Sequence, residues 1–275
     1  MTRSLVVFLL VALSAARPAP AGAETVRVLA WNLMDMDLYD GDGSGRVARQ
    51  VEAESEIARV IRGVDADIVF IAEAPSLVEL ESFVAAHGLA YRVVHVRQQS
   101  GRRDYADAMA LLTREAPSRS ELTTPPVPGS DTPERLRYRD WSYRGLLSAE
   151  VGGLSVVGVH LKSPWDGELR SYRIRDGQVG GLLAYVQGSD GPTVILGDFN
   201  DSPGTDAAEE EFRIPDSIGR LDSAFERAAG DEITQKSGLN LDHIFVRGAA
   251  VGPRNIVETD WSLSDHRPVW ADIEY

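Results

Sequence analysis

Carboxylate, amide and imidazole side chains recur in this sequence where an apolar run meets a loop. Residues 197–201 (GDFND) end one apolar run, residues 241–245 (LDHIF) open another, and residues 264–266 (SDH) lie just before the last. Loops held by a rigid scaffold commonly carry catalytic residues. A structural protein seldom places these side-chain types at three strand ends, so the pattern favours a hydrolase.

These residue types match what hydrolysis of a phosphate ester requires: a divalent cation, a base for water and a stabilised leaving oxygen. Glu73 ends the apolar run 68–72 and is a candidate ligand for Mg²⁺, which prefers hard oxygen ligands. Asn32 ends the first apolar stretch and could orient a phosphoryl oxygen. Asp198 and Asn200 face one side in extended geometry, so they could polarise the attacking water and hold the phosphate.

Two histidines also lie at predicted strand ends. His160 and His266 could act as acid and base, or as a pair that stabilises a pentacoordinate transition state. His243 directly follows Asp242 and should point to the opposite side of its strand, so packing is its expected role.

Residues 1–23 have the pattern of a signal peptide, with a basic Arg3, an apolar stretch over 5–16 and small residues at the end. The apolar stretch is too short to remain as a membrane anchor. We therefore expect a mature catalytic domain of residues 24–275, without a stable anchor, in the periplasm or secreted. The chain has no cysteine, and a domain of this size can fold without disulfides.

The charge balance limits the partners. With 28 basic and 42 acidic residues the net charge is −14, which opposes a broad nucleic-acid surface. Residues 92–144 hold ten arginines against seven acidic residues. This local excess either guides phosphates or forms a solvated, salt-bridged surface. Residues 40–52 partly imitate a calcium-binding loop, but Val51 stands where that loop needs Glu, so an acidic rim loop is expected and calcium binding is the alternative.

Hydrophobic periodicity predicts helices over about 46–63, 77–87 and 168–187, the second opened by a capping box at Ser76. Strands are predicted near 26–32, 66–72, 90–96, 107–113, 145–151, 154–161, 192–197, 241–247 and 267–274. The proline-rich segment 123–134 is predicted to be a loop. Strands alternate with helices only early in the chain, which favours a mixed sheet over a doubly wound parallel sheet.

Taken together in order, the motifs resemble the endonuclease/exonuclease/phosphatase superfamily with the deoxyribonuclease I fold. The resemblance covers nearly all of the mature chain and runs through Trp31-Asn32, Glu73, 105–114, Arg144, 160–163, 197–201, 241–245 and 264–269. It implies an α/β fold, a four-layer α/β/β/α sandwich of two mixed β-sheets packed face to face with flanking helices. It also implies hydrolysis of phosphodiester bonds with Mg²⁺ or Mn²⁺ as cofactor.

The resemblance implies roles for individual positions. Glu73 resembles the metal-binding glutamate, Asn32 the asparagine beside the metal, and Asp265 a ligand or a partner of metal-bound water. Asp198 and Asn200 resemble the pair that contacts the nucleophile and the phosphate.

Two further pairs follow from the same resemblance. Asp242 resembles the carboxylate that orients the phosphate-contacting His266. Tyr105 resembles a phosphate-contacting tyrosine, and Asp107 a carboxylate paired with His160. The second pair favours the deoxyribonuclease-like or sphingomyelinase-like branches over the abasic-site repair branch.

The sequence departs from the family pattern at two positions. Ala72 stands where a glutamine commonly precedes the metal-binding glutamate, and Asp107 is shorter than the usual glutamate. Arg144 is either a phosphate contact or a solvated arginine at a strand edge.

The expected function is a nuclease acting on DNA or RNA, and the chain is expected to be monomeric. The alternatives are a phospholipase C-like or sphingomyelinase-like phosphodiesterase, a small-molecule phosphatase, or a binding module on a decayed enzyme scaffold.

Overall fold

The computed structural model describes residues 23–34, 46–96, 108–123, 145–164, 168–189, 191–203, 217–229 and 232–275. The strands are β1 (Thr25–Asn32), β2 (Ile68–Ala74), β3 (Arg92–Val96), β4 (Ala108–Thr113), β5 (Arg119–Thr123), β6 (Leu146–Val151), β7 (Leu154–His160), β8 (Thr193–Asp198), β9 (Glu226–Ala229), β10 (Asp242–Arg247), β11 (Ala250–Ile256) and β12 (Val269–Glu274). The helices are α1 (Arg46–Val64), α2 (Leu77–Ala86), α3 (Glu168–Gln187) and α4 (Ser217–Asp222).

The strands form two six-stranded sheets. The first sheet has the order β11-β12-β1-β2-β4-β3, and the second has the order β5-β6-β7-β8-β10-β9. Each sheet contains one parallel pair joined by a helix: β1 and β2 through α1, and β7 and β8 through α3. The other neighbouring strands are antiparallel. Both sheets are therefore mixed, as the sequence predicts.

Three apolar clusters separate four layers. The inner faces of the two sheets share one core, which includes Phe70 of the first sheet and Val156 and Leu196 of the second. Helices α1 and α2 cover the outer face of the first sheet through residues such as Ile61 and Leu80. Helices α3 and α4 cover the outer face of the second sheet. The predicted α/β/β/α sandwich is confirmed.

Local sequence accounts for several boundaries. The Ser76 side chain accepts a hydrogen bond from the Glu79 backbone N–H, and the Glu79 carboxylate accepts one from the Ser76 N–H, which confirms the capping box. Strands β2 and β8 are almost entirely buried, because a helix layer covers one face and the other sheet covers the opposite face. These buried strands carry their polar residues at their ends.

Four elements within the described part of the chain were not predicted from the sequence. Strands β5 and β9 are short edge strands with several polar residues, and β11 is an edge strand containing Pro253, where its register with β12 shifts. Edge strands tolerate proline and bury little surface, so they carry a weak apolar pattern. Helix α4 has only six residues, too few for periodicity to appear.

Two sequence predictions fall partly outside the described residues. Of the segment 40–52, residues 46–52 belong to α1 and the rest lie outside the described residues. Of the predicted loop 123–134, Thr123 ends β5 and the rest also lies outside. No helix among the described residues is both long enough and apolar enough to span a membrane.

Candidate active site

The strands of the two parallel pairs end in polar residues that lie close to one another. Asn32 ends β1 and Glu73 lies near the end of β2 in the first sheet, while His160 ends β7 and Asp198 ends β8 in the second. The Asn32 Nδ2 atom donates to Glu73 Oε1 at 3.2 Å and to Asp198 Oδ2 at 3.0 Å. One amide thus joins carboxylates of both sheets and fixes where the sandwich places its chemistry.

Asp198 lies at the centre of this group. In the second sheet its strand neighbours are His160 on one side and Asp242 on the other. The Asp198 Oδ1 atom accepts a hydrogen bond from the Asn200 backbone N–H at 2.8 Å. Burial raises the pKa of Asp198 to about 6, against the opposing effect of the nearby His266. A carboxylate with such a pKa can take up a proton near neutral pH.

Glu73 owes its direction to a bulge. The pairing of β2 with β4 shifts between Ala72 and Ala74, and Glu73 itself has φ +50°. A bulge re-aims one side chain, here the only polar one of an otherwise apolar strand. The Glu73 carboxylate points to the site, where its Oε1 atom lies 3.6 Å from His160 Nε2.

His160 is 1% exposed and faces two carboxylates. Its Nε2 atom lies 3.6 Å from Glu73 Oε1 and 3.5 Å from Asp198 Oδ2. The ring therefore borders the carboxylates of both sheets.

His266 and Asp242 form a buried pair. The His266 Nδ1 and Asp242 Oδ2 atoms are 2.7 Å apart, and His266 Nε2 lies 3.9 Å from Asp198 Oδ2. Burial alone would lower the pKa of His266, but the charges of Asp242 and Asp198 outweigh it and raise the pKa to about 10. The imidazole is therefore a cation at neutral pH, with Nδ1–H directed to Asp242.

The segment that carries His266 is tied to β1. The Trp31 indole N–H donates to the His266 carbonyl at 2.9 Å, and the Ser264 hydroxyl donates to the Asn32 carbonyl at 2.7 Å. The same hydroxyl oxygen accepts the His266 backbone N–H at 3.0 Å. These bonds place the histidine of one sheet above the carboxylates of the other.

The side chain of Asn200 is hydrogen-bonded to the backbone of a neighbouring loop. It adopts φ +50°, and its Nδ2 atom donates to the Leu161 carbonyl at 3.1 Å. Leu161 in turn donates its backbone N–H to the Asp198 carbonyl at 2.8 Å. The loops after β7 and β8 are thus bonded to each other beside the site.

Sequence reasoning missed two polar residues before β10. The buried Thr234 accepts the backbone N–H groups of Leu241 and Asp242 through Oγ1, at 2.9 and 3.1 Å. The Gln235 Nε2 atom donates to Asp265 Oδ2 at 3.1 Å. No periodicity or motif marks either residue in the sequence.

His243 lies on the other side of β10, as expected. It is fully buried against Phe199, and its Nε2 atom lies 2.9 Å from the Asn240 carbonyl oxygen. Burial lowers the pKa of His243 to about 4, so the ring is neutral and donates that bond. Its surroundings are those of a packed side chain.

Two sets of residues could be considered for a divalent cation. Among the described residues, ligand atoms of Asp198, Asp242 and His266 all lie within 4.8 Å of one another. That set does not suit a metal, because a protonated imidazole bonded to a carboxylate offers no ligand atom.

The carboxylates of Glu73 and Asp265 fit better. Both residues are only partly buried, and their hard oxygen atoms suit Mg²⁺, which keeps several of its waters. The Asn32 oxygen accepts the Met34 backbone N–H at 3.0 Å, so Asn32 positions Glu73 through its nitrogen. Glu73 and Asp265 therefore stay the predicted ligands of the ion.

The structure brings together Asn32, Glu73, His160, Asp198, Asn200, Asp242 and His266, with Asp265 next to His266. Their roles stay predictions. Tyr105, Asp107 and Arg144 lie outside the described residues.

Comparison with known proteins agrees with this fold. The sequence profile of the Endonuclease/Exonuclease/phosphatase family matches residues 40–266. No curated protein sequence matches the chain. The chain belongs to the endonuclease/exonuclease/phosphatase family. Members of this family are phosphoester hydrolases that depend on a divalent metal, which places the chain among the hydrolases.

Solved structures share the fold at low identity. An endonuclease/exonuclease/phosphatase from Bacteroides vulgatus is 19% identical, with a TM-score of 0.64 over 91% of this chain and 98% of that one. ANGEL2, a 2′,3′-cyclic phosphatase solved with adenosine-2′,3′-vanadate, is 17% identical, with a TM-score of 0.63 over 92% and 96%. Truncated TDP2 from Caenorhabditis elegans is 16% identical, with a TM-score of 0.58 over 91% and 98%.

Proposed function

We propose that the chain is a divalent-metal-dependent phosphodiesterase that hydrolyses its substrate by in-line attack of water, with nucleic acid as the preferred substrate class. One observation carries the proposal: the buried Asp198 carboxylate lies between two imidazoles and accepts hydrogen bonds from Asn32 and Asn200. This arrangement suits activation of water beside a phosphate.

Asp198 is the proposed general base. Its pKa of about 6 leaves the carboxylate ionised at neutral pH yet basic enough to accept a proton from water. The side-chain amide of Asn32 and the backbone N–H of Asn200 hold the oxygen atoms of Asp198 in place, so no side chain has to reorganise during proton transfer.

His266 is the proposed charge stabiliser. With a pKa of about 10 it remains a cation, and Asp242 fixes the ring through Nδ1. The Nε2–H group is then available to the negative charge that develops on the transferring phosphoryl group. When bound, a divalent cation at Glu73 and Asp265 supplies further neutralisation of that charge.

Three observations bear on the substrate. ANGEL2, which shares the fold, was solved with a nucleoside-derived ligand, and this supports a nucleotide-containing substrate. The net charge of −14 instead favours the alternative, a lipid headgroup phosphodiester or a small phosphate ester, because a polyanion is repelled at long range. The local arginine excess in residues 92–144 supports the nucleic-acid proposal.

A substrate panel tests the proposal. Plasmid DNA, RNA, sphingomyelin and inositol phosphates are offered with Mg²⁺ or Mn²⁺ at low salt, and we expect nucleic acid to be cleaved fastest. Turnover of a headgroup or monoester substrate with DNA and RNA untouched would establish the alternative. An inactive wild type across the whole panel would contradict phosphoester hydrolysis itself.

The metal requirement is a separate prediction. We expect excess chelator to abolish activity and Mg²⁺ or Mn²⁺ to restore it. Glu73→Gln removes one ligand charge, so the metal concentration for half-maximal activity should rise at least ~10-fold while the protein stays folded. Glu79→Gln, on the exposed start of α2, is the matched control and should leave the metal titration unchanged. Full activity in excess chelator would refute the metal mechanism.

Export is proposed from the first 23 residues, on their signal-peptide pattern. Intact-mass analysis of protein recovered from the periplasm or medium should show a chain beginning at Glu24. A full-length species confined to the cytoplasm would contradict export.

A further inference from the structure

Helix α3 carries Arg175 and Gln178, two buried polar side chains with hydrogen bonds to a loop beside the site. Arg175 and Gln178 are each 1% exposed, although arginine and glutamine are rarely buried without partners. They lie three residues apart and therefore on one face of the helix. A fully buried arginine on the outer layer of the sandwich requires an explanation in the residues it contacts.

Both side chains are hydrogen-bonded to the backbone of Lys162, two residues after His160. The Lys162 N–H donates to Gln178 Oε1 at 2.8 Å, and Arg175 Nη1 donates to the Lys162 carbonyl at 3.1 Å. The backbone of one residue in the loop after β7 is therefore held at its N–H and at its C=O by the same helix.

Arg175 also reaches the loop after β8. Its Nη2 atom lies 3.8 Å from Asp201 Oδ1, next to Asn200 in the chain. The guanidinium also lies over the Tyr172 ring, 4.7 Å from its centre. The arginine thus ties α3 to both loops that carry site residues.

The two loops are also bonded to each other. Asn200 Nδ2 donates to the Leu161 carbonyl, and the Leu161 N–H donates to the Asp198 carbonyl. A shift of the Lys162 backbone would therefore move Leu161, and with it the side chain of Asn200 and the strand end that carries Asp198.

We propose that Arg175 and Gln178 are positioning residues, which hold the loops after β7 and β8 so that His160, Asp198 and Asn200 keep their catalytic geometry. This inference rests on the proposed phosphodiester hydrolysis. Neither residue contacts the reacting atoms. Their effect passes through the backbone N–H and C=O of Lys162 and through the Asp201 carboxylate.

The test compares Gln178→Leu, which loses the acceptor for the Lys162 N–H, with Gln178→Glu, which keeps an acceptor oxygen. Leu182→Ala is the matched control, because this buried residue lies on the same helix and packs against the second sheet through apolar contacts alone. Each variant is assayed on bis(p-nitrophenyl) phosphate with Mn²⁺, well below its own unfolding temperature.

We expect Gln178→Leu to lower kcat ~10- to 100-fold with KM within about threefold of wild type, since a displaced catalytic loop reduces turnover more than binding. Gln178→Glu should stay within about fivefold of wild type, because the acceptor remains. Leu182→Ala should lower the unfolding temperature and leave kcat unchanged. A Gln178→Leu variant within twofold of wild-type kcat would overturn the proposal.

Amide hydrogen exchange separates this inference from the proposed function. The segment 161–163 should exchange at least ~10-fold faster in Gln178→Leu than in wild type, and at the wild-type rate in Leu182→Ala. If the exchange rate of segment 161–163 is unchanged in Gln178→Leu, the positioning role is contradicted, whatever the activity of the variant. If the wild type hydrolyses no phosphodiester and the segment still exchanges faster in Gln178→Leu, the proposed function is rejected. The contacts of α3 with the loop after β7 are then established as positioning contacts.

Discussion

At the scale of the residue, the site depends on charges that the fold holds out of water. Asp198 is 1% exposed and Asp242 fully buried, and both face His266. Burial of a carboxylate is unfavourable unless a cation or hydrogen-bond donors compensate it. The protonated imidazole compensates both carboxylates, and they in turn keep it protonated. Asp198 and His266 therefore titrate as one unit, with apparent pKa values that belong to the pair.

The pH dependence of kcat/KM should reflect this unit. Activity should rise as Asp198 loses its proton near pH 6 and should fall as His266 loses its proton near pH 10. Asp242→Asn removes the negative charge next to His266, so the alkaline limb should move to lower pH by at least one unit. The measurement is kcat/KM on bis(p-nitrophenyl) phosphate between pH 5 and 11.

Asp272→Asn is the control for that experiment. Asp272 pairs with Arg27 at the opposite end of β1 and should leave the alkaline limb in place. An alkaline limb that does not move in Asp242→Asn would show that Asp242 does not set the protonation of His266.

At the scale of the element, the two sheets approach closely just beneath the site. Phe70 of β2 lies against Gly158 of β7 and Gly197 of β8, and a Cβ added to Gly158 would lie 2.2 Å from the Phe70 Cε2 atom. Gly197 adopts φ +138°, where its added Cβ would lie 2.1 Å from the Val159 carbonyl oxygen. The Phe70 ring occupies the space that side chains at positions 158 and 197 would otherwise fill. This contact fixes the distance between β2 and β8.

Gly158→Ala should therefore destabilise the fold by about 1–3 kcal/mol, the usual effect of an overpacked core. Phe70→Leu in the same chain should recover part of the loss, because the smaller side chain makes room for the added methyl. Urea unfolding of the two single variants and the double variant gives the coupling free energy.

Gly63→Ala in α1 is the matched control, since an added Cβ there meets nothing within 4 Å. That substitution should stabilise the protein by about 0.5–1 kcal/mol, because alanine favours a helix. Strictly additive effects of Gly158→Ala and Phe70→Leu would contradict direct contact between the two positions.

At the scale of the whole molecule, the strongly negative charge and the buried histidines govern behaviour in solution. Any nucleic-acid contact has to come from local cations against a net charge of −14. His243 is neutral inside the fold but takes up a proton when the chain unfolds. Its pKa falls from about 6.5 in the unfolded chain to about 4 in the folded state, so lowering the pH through this window favours unfolding.

His243→Gln should therefore reduce the loss of stability on acidification. Between pH 7 and pH 5 the wild type should lose about 2 kcal/mol more of its unfolding free energy than the variant, because only the histidine binds a proton on unfolding. Urea unfolding at the two pH values gives the comparison. His87→Gln, at a partly exposed position, is the control and should follow the wild type. Equal losses in His243→Gln and wild type would contradict a neutral buried His243.

Salt dependence tests the nucleic-acid proposal at the same scale. If residues 92–144 guide phosphates, Arg102→Ala with Arg103→Ala should weaken plasmid binding and lower the slope of log K against log salt by about two, one for each lost contact. Arg59→Ala, on the outer helix α1 where Arg59 pairs with Glu56, should leave that slope unchanged. An unaltered slope in the double variant would show that these arginines do not contact phosphates.

Features that depend on near neighbours along the chain can be predicted from the sequence. The long helices, the buried strands and the capping box at Ser76 follow from periodicity and local hydrogen bonding. Glu73 and Asp198 were recognised as site residues because each is a carboxylate at the end of an apolar run. A buried strand seldom ends in a carboxylate for another reason. The ordered motifs then indicated the family and, through it, the sandwich.

Which of these side chains come into contact depends on how the chain packs in three dimensions. Asn32 joins Glu73 and Asp198 across two sheets, Gln235 supports Asp265, and Arg175 holds two loops from a helix. Such contacts depend on strand register and on how the sheets stack, and no local pattern records either. The edge strands escaped prediction for a related reason: they bury little surface, so their sequences carry little apolar pattern. Local sequence specifies elements, whereas the packing of the two sheets specifies the site.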